Sequence, residues 1–273
     1  MKALQDLGLS ERAACRLVGC PRRTAQYRSQ RPDRDQAIRG LLRELAAKRP
    51  RFGWRRLRIL LRRKHLRPNH KRLRRIYREE CLQVRPRRKR RVRFVRGNAT
   101  LPVTRLNEEW GLDFMDDRLF NRRKIRVMTL EDRFSREGLA LEPAFSITGK
   151  RVVRELDAVA AVRGYPSRLR IDNGPELTSR ALLTWSVEHE VDLHFIDPGK
   201  PSQNAWIESF NARVRDEFLN VRLFRSAPDM HEAAQEWLID YNEERPHSSL
   251  GYLTPQEFVQ TLPTNSAPQL SVA

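Results

Sequence analysis

No stretch of about 18 consecutive apolar residues, the length a membrane-spanning helix needs, occurs in the 273-residue sequence. The amino-terminal run MKALQDLGLSERAACRL has no apolar segment of the kind a secretory signal requires. Cysteine is scarce: Cys15, Cys20 and Cys81 lack Cys-x-x-Cys spacing, and the six histidines do not pair with them in a zinc-finger pattern. A disulfide framework and a structural zinc centre are therefore excluded. There is no internal repeat and no sustained heptad pattern of the sort a coiled coil shows. What remains is a cytosolic chain with reduced thiols, long enough for one large or two to three small domains.

Charge is abundant but uneven. The chain has 54 Lys+Arg against 34 Asp+Glu, a formal net charge of +20. Residues 1–100 hold 33 of those bases and 7 of the acids, leaving 21 against 27 in the remainder. A polycationic half beside a mildly acidic one suits a phosphate backbone, whose counterions are released as each phosphate is neutralised. An acidic membrane surface is the competing partner, but the basic half lacks the broad Trp/Phe/Leu face of interfacial helices.

The basic half is predicted helical, in two pieces. In LGLSERAACRLVGCPRRTAQYR, Ser10 caps a short helix, Val18-Gly19-Cys20 turns, and Pro21 takes the first position of a second helix bearing Arg22, Arg23 and Arg28. The second piece has a helix ending near Lys48, a break at Pro50 and Gly53, a helix from about Trp54 and another behind Asn69. That last helix places Leu73, Ile76 and Tyr77 on one side and Lys71, Arg72, Arg74, Arg75 and Arg78 around the rest. Such a helix can enter a major groove, its bases positioned on phosphates; a basic but merely structural helix is the alternative. RPRRKRRVRFVR (85–96) is too charged to bury and reads as a linker on nucleic acid, with Arg88, Lys89, Arg90 and Arg91 as contacts.

Beyond the linker the pattern changes to alternation. EEWGLDFM, KIRVMTLEDRF and EGLALEPAF predict three strands, followed by a helix over about 149–162, a short strand in SRLRIDNGPEL, a helix over 179–189 and a strand over 191–196. This order describes a mixed α/β layer domain. The next segment, GKPSQNAWIESFNARVRDEFLN (199–220), puts Ile207, Phe210, Val214 and Phe218 on one stripe of a helix, with Asn204, Glu208, Asn211 and Arg215 along its flank.

Three carboxylates stand out. Asp113 sits inside the apolar run WGLDFM, where a charge is costly unless paired or bound to a metal. Asp172 ends a strand and precedes Asn173-Gly174, so a turn presents it at a sheet edge, where sites of α/β domains commonly lie. Glu208 projects from the flank of the amphipathic helix. Oxygen ligands from three elements suit Mg²⁺, and paired ions can clamp both oxygens of a phosphoryl displacement. Asp116 and Asp117, at an expected turn after the first strand, are predicted to face solvent.

The motifs EEWGLDFM, LRIDNGPELTSR, FIDPGKPSQNAWIESFNARVRDEFLN and YNEERPHSSLGYLTPQEF closely resemble those of the IS3 family of insertion-sequence transposases, in particular the larger-frame product (the B reading frame), a DDE transposase with a retroviral-integrase catalytic core. The resemblance covers nearly the whole chain. The spacing matches: 35 residues lie between Asp172 and Glu208, and Arg215 stands seven positions past the glutamate. It implies an α/β fold with an RNase H-like core, a mixed five-stranded sheet with flanking helices, preceded by helical helix-turn-helix-like DNA-binding segments. The expected boundaries are 1–30 and 31–84 for the helix-turn-helix-like pieces, 85–104 for the linker, 105–262 for the core with its helical extension, and 263–273 for a disordered tail.

The resemblance further implies catalytic and metal-ligating roles for Asp113, Asp172 and Glu208, with two Mg²⁺ ions for which Mn²⁺ can substitute, and DNA contact by Arg215. Asn204 and Asn211 are expected to bind phosphate or orient the carboxylate. Its reaction would be cleavage at the element's end and strand transfer, on double-stranded DNA comprising terminal repeats and target, by a homo-oligomer assembled on DNA in the bacterial cytoplasm at the nucleoid. Two departures are visible. Family members commonly have two acids before Phe-Ser-Arg, but Arg133 follows Asp132 here, which puts an accessory acid in doubt. The upstream frame's helix-turn-helix and zipper, normally fused by frameshifting, are missing, so fusion to or association with that product is expected. Tyr241, Arg245 and His247 match a motif whose physical task the sequence does not give. An inactive DNA-binding regulator, a metal-dependent nuclease without joining and a basic coating protein are the alternatives.

Overall fold

The computed structural model describes residues 2–26, 31–84, 102–196 and 205–263, so Arg28, Arg88, Lys89, Arg90, Arg91 and Asn204, most of the expected linker and nearly all of the expected tail lie outside the described residues. Two compact units are distinguished, one of residues 1–48 and 52–84, the other of 49–51 and 85–273.

The first unit is helical. Helices α1 (Lys2–Asp6), α2 (Glu11–Leu17) and α3 (Arg22–Ala25) come first. Ser10 caps α2 as its hydroxyl accepts from the Ala13 amide, an arrangement worth about 1 kcal/mol. Pro21 stands at the N-cap of α3, one position earlier than expected, because its extended ψ of 137° precedes the first helical residue. Helices α4 (Arg31–Lys48), α5 (Trp54–Arg63) and α6 (His70–Glu79) enclose a core of Ile38, Leu42, Leu57, Leu61, Leu73 and Ile76. The Asn69 side chain accepts from the Lys71 amide and starts α6.

The second unit holds a five-stranded sheet in the order β3-β2-β1-β4-β5: β1 (Glu109–Arg118), β2 (Lys124–Asp132), β3 (Gly138–Ala144), β4 (Arg168–Ile171) and β5 (Asp192–Phe195). The first three pair antiparallel as a meander, whereas β4 and β5 run parallel to β1 and to each other. Parallel pairing demands crossovers, and α7 (Gly149–Arg163) and α8 (Arg180–Glu188) supply them. Strand alternation divides β1 between two cores. Trp110 and Leu112 face one with Leu156, Leu182 and Trp185 of the crossover helices. Met115 faces the other, which α9 (Ala205–Val214) and α10 (Ala227–Glu243) cover with Ile207, Phe210, Met230 and Leu238. The chain ends its described part with α11 (Pro255–Gln260), opened by a capping box between Thr254 and Glu257.

Three local expectations are corrected. Strand β1 runs on through Asp116 and Asp117 to Arg118, because the pairing with β2 continues to Arg118 opposite Lys124. The helix expected to continue through Phe218 instead becomes a wide π turn at Arg215–Leu219. Its extra residue per turn buries both Phe218 and Leu219 and lets Glu217 meet Arg245. Asp117 does not simply face solvent: it is part-buried, 3.6 Å from the Arg215 guanidinium. No described helix is long and apolar enough to cross a membrane.

Candidate active site

Asp113 lies mid-strand on β1 and is half-buried. Its Oδ1 accepts from the Phe114 amide at 2.8 Å, its Oδ2 accepts from Asn211 Nδ2 at 2.8 Å, and its own carbonyl accepts from the Thr129 hydroxyl at 3.1 Å. Parallel pairing of β1 with β4 joins Gly111 to Arg170; Asp113 and Asp172 each stand two residues further on. Asp172 follows the last residue of β4 and accepts the Gly174 amide at 2.9 Å, which folds the Asp-Asn-Gly turn back on its own carboxylate. Glu208 is exposed in the first turn of α9.

Electrostatics connect the three. Burial raises the Asp113 carboxyl to about 6, and the charges of Asp172 and Glu208 add to that, against the Phe114 and Asn211 hydrogen bonds. A nearby negative charge disfavours ionisation of a carboxyl in this way. Among the described residues no three acid, histidine or cysteine side chains stand close enough to cage a cation as they are. Asn211 Oδ1 is buried without a hydrogen-bond partner among the described residues, next to the Asp113 oxygen that its amide holds.

What brings Glu208 and Asn211 here is the packing of α9 on β1. Gly111 shares a sheet face with Asp113, and a Cβ at that position would stand 2.2 Å from the Trp206 ring. Only the bare backbone lets the indole lie on the strand. Arg215, opening the π turn, donates to the Asp116 carbonyl at 2.7 Å and so ties the end of α9 to β1.

Other sequence-predicted residues divide by environment. Arg72 and Arg75 both donate to the carboxylate of Asp35, which is 1 % exposed. Burial opposes the charge on Asp35, yet those two hydrogen bonds hold its carboxyl below the usual range. These arginines thus organise the unit, while Lys71, Arg74 and Arg78 are exposed on α6. Asp132 is buried and accepts from the Asn107, Phe134 and Ser135 amides and the Ser135 hydroxyl, an internal turn anchor. Arg133, in the departing position, donates to buried Glu109 at 3.0 Å. The sequence reading missed Thr129, whose signal is its place opposite Asp113 in the β-ladder, and Glu131, buried beside Asp132.

The Tyr241–His247 motif has a structural task. Arg245 is 2 % exposed and makes two 2.7 Å bonds to the Glu217 carboxylate in the π turn. His247 meets Tyr241 edge to face at 4.7 Å. Removing one partner of such a buried pair typically costs about 3–5 kcal/mol.

Comparisons with known proteins agree with this architecture. Two models described as integrase core domain match residues 103–201 and 189–255, and one described as HTH-like domain matches residues 33–90. A chain of the simian T-cell lymphotropic virus intasome, solved by cryo-electron microscopy in complex with PP2A regulatory subunit B56 gamma, superposes with a TM-score of 0.52 at 16% identity, covering 76% of this chain and 72% of its own. The fold is RNase H-like, an integrase core carried with a helix-turn-helix-like helical region. Among curated proteins, an insertion element IS407 protein of Burkholderia multivorans is 44% identical over 94% of both chains. An insertion element IS476 protein of Xanthomonas euvesicatoria is 41% identical over 97% of this chain and 77% of its own. A putative transposase for the insertion sequence element IS150 of Escherichia coli is 25% identical over 89% of this chain and 91% of its own. The chain belongs to the IS3 family of insertion-sequence transposases.

Proposed function

We propose that this chain cleaves DNA at the ends of an insertion element and joins the freed ends to a target, using Mg²⁺ held by Asp113, Asp172 and Glu208. The observation that carries the reading is the meeting of three elements at Asp113: burial on β1 raises its carboxyl to about 6, and the charges of Asp172 past the end of β4 and Glu208 on α9 raise it further. A cation fits there on two counts. The donors are all hard oxygens, as Mg²⁺ prefers, and the orphan Asn211 Oδ1 supplies one more acceptor at the edge of the site. When bound, the metal supplies an activated nucleophile and stabilises charge on the transferring phosphoryl group.

The chain's own residues do the rest. Asn211 and the Phe114 amide fix the Asp113 carboxylate in one orientation, and the Gly174 amide does the same for Asp172. In cleavage a water oxygen attacks phosphorus and the bond to the 3′-oxygen breaks, freeing a 3′-OH. In strand transfer that hydroxyl attacks a second phosphodiester and displaces its 3′-oxygen. One P–O bond forms and one breaks in each step, so neither an external energy source nor a covalent protein–DNA intermediate is needed. Lys71, Arg74 and Arg78 on α6, the 88–91 cluster and Arg215 contact DNA, and the active species is a homo-oligomer on DNA, with the upstream-frame product as fusion partner or associate.

The test is a joining assay with Mg²⁺ and a labelled duplex ending in the element's terminal repeat. Joined products are expected from the native chain and none from Asp113→Asn, Asp172→Asn or Glu208→Gln, all three retaining DNA affinity. Cleavage without joining would instead favour a nuclease, and loss of binding in all three variants would overturn the assignment of the acids.

A further inference from the structure

Beside the acidic site, on the other flank of α9, lies a cavity of about 180 Å³. Its floor is Glu131, 1 % exposed, on the sheet face shared by Gly111 and Thr129. The Tyr241 hydroxyl donates to Glu131 Oε1 at 3.3 Å, but Oε2 is buried without a partner among the described residues. The indole N–H of Trp206, which lines the same cavity, is likewise buried and without one. Two orphaned polar groups, one on an acid and one on an obligate donor, are costly to leave unmet.

The remaining walls restrict what could satisfy them. Trp206, Tyr241 and His247 give aromatic surface, and Arg136 and Arg213 bring positive charge close enough to act on Glu131. The Arg213 guanidinium is steadied by the Ser209 carbonyl and hydroxyl at 2.7 Å each. An occupant must offer a hydrogen-bonding edge to a carboxyl oxygen, an acceptor to an indole N–H, a flat face to aromatic rings and a negative charge to two guanidiniums. A nucleotide offers all four, and extruded bases are held in this manner, by edge hydrogen bonds and aromatic contact. At roughly 30 Å³ per water the cavity takes the equivalent of a few solvent molecules, which suits one base and excludes a folded peptide.

We propose that this cavity receives a single unstacked nucleotide of the DNA on which the chain acts, the base against Glu131 and the aromatic walls, the phosphate toward Arg136 and Arg213. The inference rests on the DNA-joining reading above. It gives α9 two functions on its two flanks, carboxylate chemistry on one and nucleotide capture on the other, so that capture fixes the DNA's register relative to Glu208.

The experiment places 2-aminopurine in turn at each position around the cleavage site of a terminal-repeat duplex and follows its fluorescence on binding by the full chain. A rise at one position, reporting unstacking, is expected, together with loss of that rise in Ser249→Trp, which blocks the cavity from an exposed residue. 5-Iododeoxyuridine at the same position is expected to photocrosslink to Trp206 or Tyr241. No rise at any position, or a rise that Ser249→Trp leaves unchanged with crosslinks elsewhere, overturns the proposal. Joining measured on the same samples then separates the two readings: if it persists, only the nucleotide site falls; if it is absent as well, the DNA-joining reading falls with it.

Discussion

A carboxylic acid at a β-bulge, Glu131, shows how burial and charge compete at a single position. Glu131 is raised to about 8, first by burial and only weakly opposed by Arg136, Arg213 and the Tyr241 hydroxyl. Its neighbour along the site face, Asp113, is raised to about 6, whereas Glu109, the buried first residue of β1, is held below the usual range because Arg170 and Arg133 outweigh its desolvation. Two guanidiniums hydrogen-bond to Glu109, whereas those near Glu131 act on it only through their charge. Between about pH 4.5 and about pH 8 the folded chain keeps a proton on Glu131 that the unfolded chain has released, so stability falls as pH rises through that window, by up to about 1.4 kcal/mol per unit. Glu131→Gln, which retains an acceptor for Tyr241, is therefore expected to gain on the native chain from about pH 6 to about pH 9 in denaturant unfolding. Equal slopes for the two proteins would show that Glu131 is ionised in the fold.

At the scale of an element, α9 carries three stripes. Ile207, Phe210 and Val214 form the buried one. Glu208, Asn211 and Arg215 lie about 100° to one side, and Trp206, Ser209 and Arg213 about as far to the other. The helix is set on the sheet by the contact of Trp206 with Gly111, so a methyl group at that glycine acts on all three. Gly111→Ala is expected to destabilise the chain by about 1–3 kcal/mol through overpacking and to reduce joining further than that loss explains, because Glu208 moves with the helix. Thermal unfolding and joining rates measured together check this; unchanged joining in a folded variant would show that α9 is positioned by other contacts. The sequence's alternating and helical periods made the strands and helices legible here, and with them the places of Asp113, Asp172 and Glu208 in the fold. The π turn was not, since nothing local distinguishes it from a further turn of α-helix; it is fixed by Glu217 reaching Arg245, 28 positions away.

Across the whole molecule, the division of charge between halves gives a testable separation of roles on α6. Lys71→Ala, Arg74→Ala and Arg78→Ala are each expected to lower the salt dependence of DNA affinity by about one unit of log–log slope, with little change in melting. Arg72→Ala and Arg75→Ala are expected instead to lower the melting temperature, because each leaves the buried Asp35 with one guanidinium fewer. Salt-titrated binding and thermal unfolding of the five variants distinguish the groups, and a uniform slope change across all five would remove the distinction.

The sequence by itself determined the basic and mixed halves and the order of elements, and singled out three acids as candidates, because periodicity, capping residues and carboxylates in apolar runs are local signals. Only the tertiary structure decided which arginines are engaged internally, that Asp132 anchors a turn, and that Glu131, Tyr241 and Trp206 enclose a cavity. Those outcomes depend on partners far apart in the chain: Tyr241 reaches Glu131 across 110 positions. A side chain's solvation and charge are set by whichever groups the fold brings against it, and no local pattern of residues encodes that neighbourhood.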